Sequence, residues 1–142
     1  MIRIIAGGKK HQRWLAEAVE EYEKRLRKPY ATEWLFVDEE KIAEKVAQLP
    51  KSALMILLDE HGAALSSEEF AEKLDGAFMD GREVVIVIGG AFGHFAETVV
   101  RRADTVLSLS KMVLPHQLCR AVMIEQIYRA QEIANGGKYH HA

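Results

Sequence analysis

Six residues, EVVIVI from Glu83 to Ile88, constrain the fold more than any other stretch of this 142-residue chain. A strand with one wet face alternates apolar and polar residues, whereas an unbroken β-branched run predicts a strand covered on both faces. Such strands belong to parallel sheets, whose crossover connections place helices above and below. The run opens after the turn Asp80-Gly81 and ends in GGAFG, Gly89 to Gly93.

The remaining pattern supplies the rest of the sheet. Ile2 to Ala6, Ala31 to Val37, Ala53 to Leu58 and Asp104 to Leu107 read as further strands. Between them, His11 to Lys28 carries apolar residues at helical spacing up to Pro29, and Glu39 to Leu49 does so up to Pro50. Ser66 with Glu69 forms a capping box for a helix lasting to Met79. His94 to Arg102 and Gln117 to Asn135 complete the alternation. The fold class is therefore α/β, a largely parallel five-stranded sheet flanked by helices. Apolar residues on the last helix cover more of its circumference than one sheet contact can bury, so a neighbouring helix or a second copy must cover the rest, and a homodimer is expected.

At this length one domain, residues 1–142, is the economical reading, large enough to bury about two thirds of its unfolded surface. Hydrophobic residues at 49% and charged residues at 28% exclude wholesale disorder. The apolar runs are too short for a bilayer and the N-terminus lacks a signal-peptide core, so the expected location is the cytoplasm and no membrane partner is expected. Cys119 stands alone in an apolar helical context, a reduced core thiol. A net charge of −2 argues against nonspecific coating of nucleic acid. It leaves room for local basic faces at Lys9, Lys10 and Arg13, at Lys24, Arg25, Arg27 and Lys28, and at Arg101 and Arg102.

In open parallel sheets ligands bind beyond the carboxyl ends of the strands. Three segments lie there in this reading: DEHG from Asp59, the glycine loop, and SLSKMVLPHQ from Ser108 to Gln117. The last holds Leu109, Met112, Val113 and Leu114 where a plain surface loop would have no use for them, so a fold element or a ligand must cover them. Glycines 89 and 90 let backbone amides approach a ligand closely. The six histidines form no HExxH and no zinc spacing with cysteine, so no metal is expected. No GxSxG elbow is present, which ranks nucleophilic hydrolysis low.

EYEKRL (Glu21 to Leu26), DGREVVIVIGGAFG, LSLSKMVLPHQLCRAVMIEQIYRA and the terminal KYHH together resemble the ribosomal large subunit methyltransferase H family of the SPOUT class, over essentially the whole length. The resemblance implies a deep trefoil knot, a dimer built on the last helix, and transfer of a methyl group from S-adenosylmethionine to N3 of a pseudouridine in 23S ribosomal RNA of the large subunit or whole ribosome. It places cofactor contacts on Leu58, Gly89, Leu109, Ser110, Lys111, Met112, Val113 and Leu114. Proton removal from N3 calls for a base near neutral pH. His140, matching the family's tail Tyr-His as Tyr139-His140, ranks first and His116 second, with Arg129 or Lys138 offsetting charge on the ring or holding a phosphate. Many relatives carry Gly-Gly-Pro-Glu-Gly where Ala91 and Phe92 stand here, so the loop receives no acidic catalyst, and His141 replaces a terminal basic residue. The rival readings are a noncatalytic α/β nucleotide-binding module, which would bind without methyl transfer, and a ribosome-associated factor that would bind no cofactor at all.

Overall fold

The computed structural model describes residues 1–91 and 93–141. Phe92, half of the glycine-loop departure, lies outside the described residues. Five strands form one sheet: β1 (Ile2–Gly7), β2 (Thr32–Val37), β3 (Leu54–Ala64), β4 (Val84–Ile88) and β5 (Thr105–Ser108). Their order is β2-β1-β4-β3-β5 and every pairing is parallel. The β-branched run becomes β4, the central strand, fully buried, with β1 and β3 as neighbours.

Side chains alternate across the pleat into two cores. Ile2, Ile4, Ile56, Leu58, Val84, Ile86 and Ile88 face α1 (Arg13–Glu23), α3 (Ser67–Met79) and α5 (His116–Ala134). Ile5, Met55, Leu57, Val85 and Val87 face α2 (Ile42–Ala47) and α4 (Glu97–Arg102). The long α5 lies against both α1 and α3, so much of the two-sided burial read from its sequence is met inside the chain. No helix among the described residues is long and apolar enough to cross a membrane.

Three elements differ from their sequence-based bounds, two of them for identifiable reasons. The first helix stops at Glu23 rather than Lys28, because Gln131 of α5 captures the following backbone: its side chain accepts from Arg27 N at 2.7 Å and donates to Arg25 O at 3.0 Å. The fourth helix begins at Glu97 rather than His94, leaving 94–96 nonhelical. The third strand does not end at Leu58 but continues through DEHG to Ala64. Leu58 and Ala63 both pair with Leu107 of β5, so the residues between them bulge out of the ladder. Gly62 makes this close passage feasible, since a Cβ there would lie 2.5 Å from Val106 O.

Candidate functional site

A cavity of about 710 Å³ opens beyond the carboxyl ends of β3, β4 and β5, a size typical of small-molecule sites. Of the residues expected to hold a cofactor, Leu58, Gly89, Leu109, Ser110, Met112, Val113 and Leu114 all line it. Lys111 does not; its side chain is exposed. The loop from Leu109 to Pro115 is held by its serines: Ser108 Oγ donates to Ser110 O at 2.8 Å, and Ser110 Oγ accepts from Met112 N at 2.9 Å. This folding turns Met112 and Val113 outward from the core, 77% and 76% exposed, while they still wall the cavity.

Glycine serves a steric purpose here. A Cβ on Gly90 would lie 2.5 Å from the carboxyl carbon of Glu39, and one on Gly89 would lie 3.0 Å from the Phe95 ring. Phe95 and His94 also line a second cavity of about 330 Å³ with Glu39, Glu40, Ile42 and Val99. The nonhelical segment before α4 is thus a shared wall between two adjoining spaces.

His116, the first residue of α5, lines the main cavity. Burial holds its imidazole below the ordinary value, the nearby Arg120 guanidinium adds to the effect, and Glu39 opposes it. The ring is neutral at pH 7 and able to accept a proton. Arg120 is wholly buried one turn further on. Its Nη1 donates to Lys9 O at 2.9 Å and its Nη2 to Gly7 O at 3.1 Å, with the guanidinium 5.3 Å from the Phe36 ring centroid. Sequence reading passed over this residue, because a lone arginine on an apolar helix signals only an outward-facing charge.

The tail lies elsewhere. Arg129 Nη1 donates to His140 Nδ1 at 2.9 Å, which leaves Nε2 to carry the ring proton and donate to Glu68 Oε1 at 2.5 Å. Both ring nitrogens are engaged. Tyr139 stacks edge-on against Tyr128 at 4.7 Å, sits under Arg129 at 4.9 Å, and is pushed up to about 12 by burial and its contact with Tyr22. Arg129 also donates through Nε to Glu125 Oε1 at 2.9 Å. None of Arg129, Tyr139 and His140 lines the cavity. From His116 to Arg129 the helix axis runs about 20 Å, so one chain does not bring its tail histidine to its own cavity. Among the described residues no group of three or more His, Cys, Asp or Glu side chains is arranged to hold a metal ion.

A half-buried histidine nearby gives a measurable signature. His11 packs edge-on against Trp34 at 4.4 Å and Phe36 at 5.1 Å. Burial, with Arg120 second, lowers it from 6.5 to about 4. The unfolded chain binds this proton at higher pH than the folded one, so stability is complete above pH 6.5 and falls as pH drops toward 4. Allowing for solvent screening of the partly exposed ring, the expected loss is on the order of 2 kcal/mol. Urea unfolding at pH 7.5 and 4.5 should show that loss in the wild type and a smaller one in His11→Phe.

A family model described as Predicted SPOUT methyltransferase matches residues 1–140. The chain is 40% identical over 154 aligned residues to "Ribosomal RNA large subunit methyltransferase H" of Caldicellulosiruptor saccharolyticus, covering 99% of each chain. It is 42% identical over 140 residues to the protein of that name from Synechococcus, covering 98% of this chain and 93% of the relative. Among solved structures, one described as "a probable methylase family protein" from Haemophilus influenzae shares the fold with a TM-score of 0.63 at 14% identity, over 99% of this chain and 70% of that one. The SpoU methyltransferase AviRb from Streptomyces viridochromogenes, solved with the cofactor AdoMet, matches at a TM-score of 0.51 and 12% identity, over 97% of this chain and 59% of that one.

Proposed function

Because the chain belongs to the SPOUT methyltransferase family, we propose that it methylates ribosomal RNA of the large subunit, using S-adenosylmethionine, with N3 of a pseudouridine in 23S RNA as the acceptor. The single observation that carries the cofactor assignment is the cavity: five aliphatic side chains, Leu58, Leu109, Met112, Val113 and Leu114, face a backbone of paired glycines across a space of small-molecule size. That donor set fits a nucleoside. The aliphatic groups can enclose a flat base while loop N–H and C=O groups read its edge.

The cofactor supplies an activated methyl carbon when bound. The protein's own contribution is placement, which can be worth up to about 7–11 kcal/mol when reacting atoms are held in line, together with removal of the proton on the acceptor nitrogen. His116 is neutral and at the cavity, so within one chain it is the base. The basic residues Lys9, Lys10 and Arg13 follow β1 on the same carboxyl side of the sheet and provide phosphate contacts.

A homodimer belongs to this reading. Its supports are the exposed apolar side chains Trp14, Met112 and Val113, and the tail, where His140, Arg129 and Tyr139 would reach a cavity only if it belonged to a second copy. In that arrangement Arg129 must release His140 Nδ1 before the ring can take a proton. The cytoplasm, where ribosomes assemble, is the proposed location.

The test is mass spectrometry of large-subunit RNA after intact ribosomes lacking the modification are incubated with purified protein and cofactor labelled in the methyl group. One labelled methyl on a pseudouridine of 23S RNA is expected. Unlabelled RNA, with cofactor binding seen by calorimetry, would point instead to the noncatalytic binding module.

A further inference from the structure

The walls of the main cavity have a charge that the aliphatic lining does not explain. Asp59 and Glu60 line it, and among its described lining residues there is no lysine or arginine. The adjoining cavity repeats the pattern with Glu39 and Glu40, again without a cationic lysine or arginine. Four carboxylates around two adjoining spaces are unexpected in a protein that must approach a polyanion.

The carboxylate of Asp59 is fixed rather than incidental. It stands on the bulge where Leu58 and Ala63 share Leu107. Its Oδ1 accepts from the backbone N–H of His61 at 3.2 Å and lies 3.3 Å from Nδ1 of the exposed His61 ring, and its side chain is 26% exposed. Gly62 closes the bulge against the backbone of Val106, so the segment has little freedom to swing the acid away. Glu60, next along the same bulge, is the more exposed of the two at 45%.

We propose that Asp59 and Glu60 make the cavity selective for the charge on the cofactor's sulfur, holding the sulfonium form and favouring departure of the neutral thioether. The inference rests on the cofactor reading above. In methyl transfer the nitrogen lone pair forms the new N–C bond, the S–C bonding pair stays on sulfur, and the nitrogen's proton goes to the base. Sulfur therefore loses its positive charge while the nucleoside, carboxylate and ammonium of the ligand stay as they were. A carboxylate near sulfur feels that single change; a carboxylate at the ammonium end does not. In a partly enclosed space this difference separates the affinities of the two compounds.

The test is titration calorimetry of the full-length protein with S-adenosylmethionine and with S-adenosylhomocysteine, comparing wild type with Asp59→Asn, Glu60→Gln and the double variant. Wild type should bind the sulfonium compound at least about tenfold more tightly, about 1.4 kcal/mol. The double variant should bring the ratio close to one, mainly by weakening the sulfonium compound, and Asp59→Glu should restore part of it. Raising salt from 0.05 to 0.5 M should shrink the wild-type ratio, a readout that needs no variant to fold. A ratio unchanged in the variants and in salt overturns the proposal, as does equal weakening of both compounds, which would put the acids at the ammonium end. Failure of wild type to bind either compound would overturn the cofactor reading itself and the inference with it.

Discussion

Replacing His116 with alanine is expected to lower the single-turnover rate of methyl transfer by about 10²- to 10⁴-fold, the range for loss of a positioned base, with cofactor affinity changed only a few-fold. The split between rate and affinity is what identifies a base, since a wall residue would lose binding along with turnover. The pH profile is a second check. Because burial lowers the His116 imidazole, the rate in the wild type should stay level down to neutral pH and decline only below the usual imidazole value of about 6.5. His140→Ala provides the comparison. If it abolishes turnover in a dimer while His116→Ala leaves the rate within threefold of wild type, the base is on the tail.

Replacing Arg120 with leucine is expected to cost about 3–5 kcal/mol of stability, read as a drop in the urea midpoint. The arginine is fully buried and holds the carbonyls of Gly7 and Lys9; leucine would leave both acceptors dry and unpaired. The loss should extend to the site, because Gly7 abuts the glycine loop so closely that a Cβ on it would lie 2.8 Å from Gly90 N. Loss of the cation also removes one cause of the low His11 value, so the acid-side stability loss should become smaller in this variant. Full retention of stability would show that the guanidinium contributes nothing beyond its volume.

Most of the architecture was legible because it follows from period and punctuation. The β-branched run at Glu83 to Ile88 demanded two covered faces, and the Ser66 and Glu69 capping box stands as read, with Ser66 Oγ accepting from Glu69 N at 3.0 Å. What local pattern could not reach were features set by partners far along the chain. DEHG looks like a turn, yet it is a bulge beyond which the strand resumes its pairing with β5 at Ala63 and Ala64. Residues 24–28 look helical, yet Gln131 unwinds them. At the site, the apolar residues of the loop after β5 signalled a pocket by having no other use. Topology placed DEHG at the same end of the sheet, but its acids Asp59 and Glu60 carried no signal of their own, since carboxylates after a strand are ordinary turn chemistry. The position of the tail depends on His140 meeting Glu68 from a helix 72 residues earlier, which no spacing rule encodes.

The grip of α5 on the opposite end of the chain has a consequence for synthesis. Gln117 accepts from the backbone of Gln12, and Gln131 binds Arg25 and Arg27, so both ends of α1 are fastened by an element more than a hundred residues later in the chain. The apolar stripe of α1 emerges early and then waits uncovered until α5 has been made. Assembly must therefore wait for α5 and close through sequence-distant contacts that make it slow.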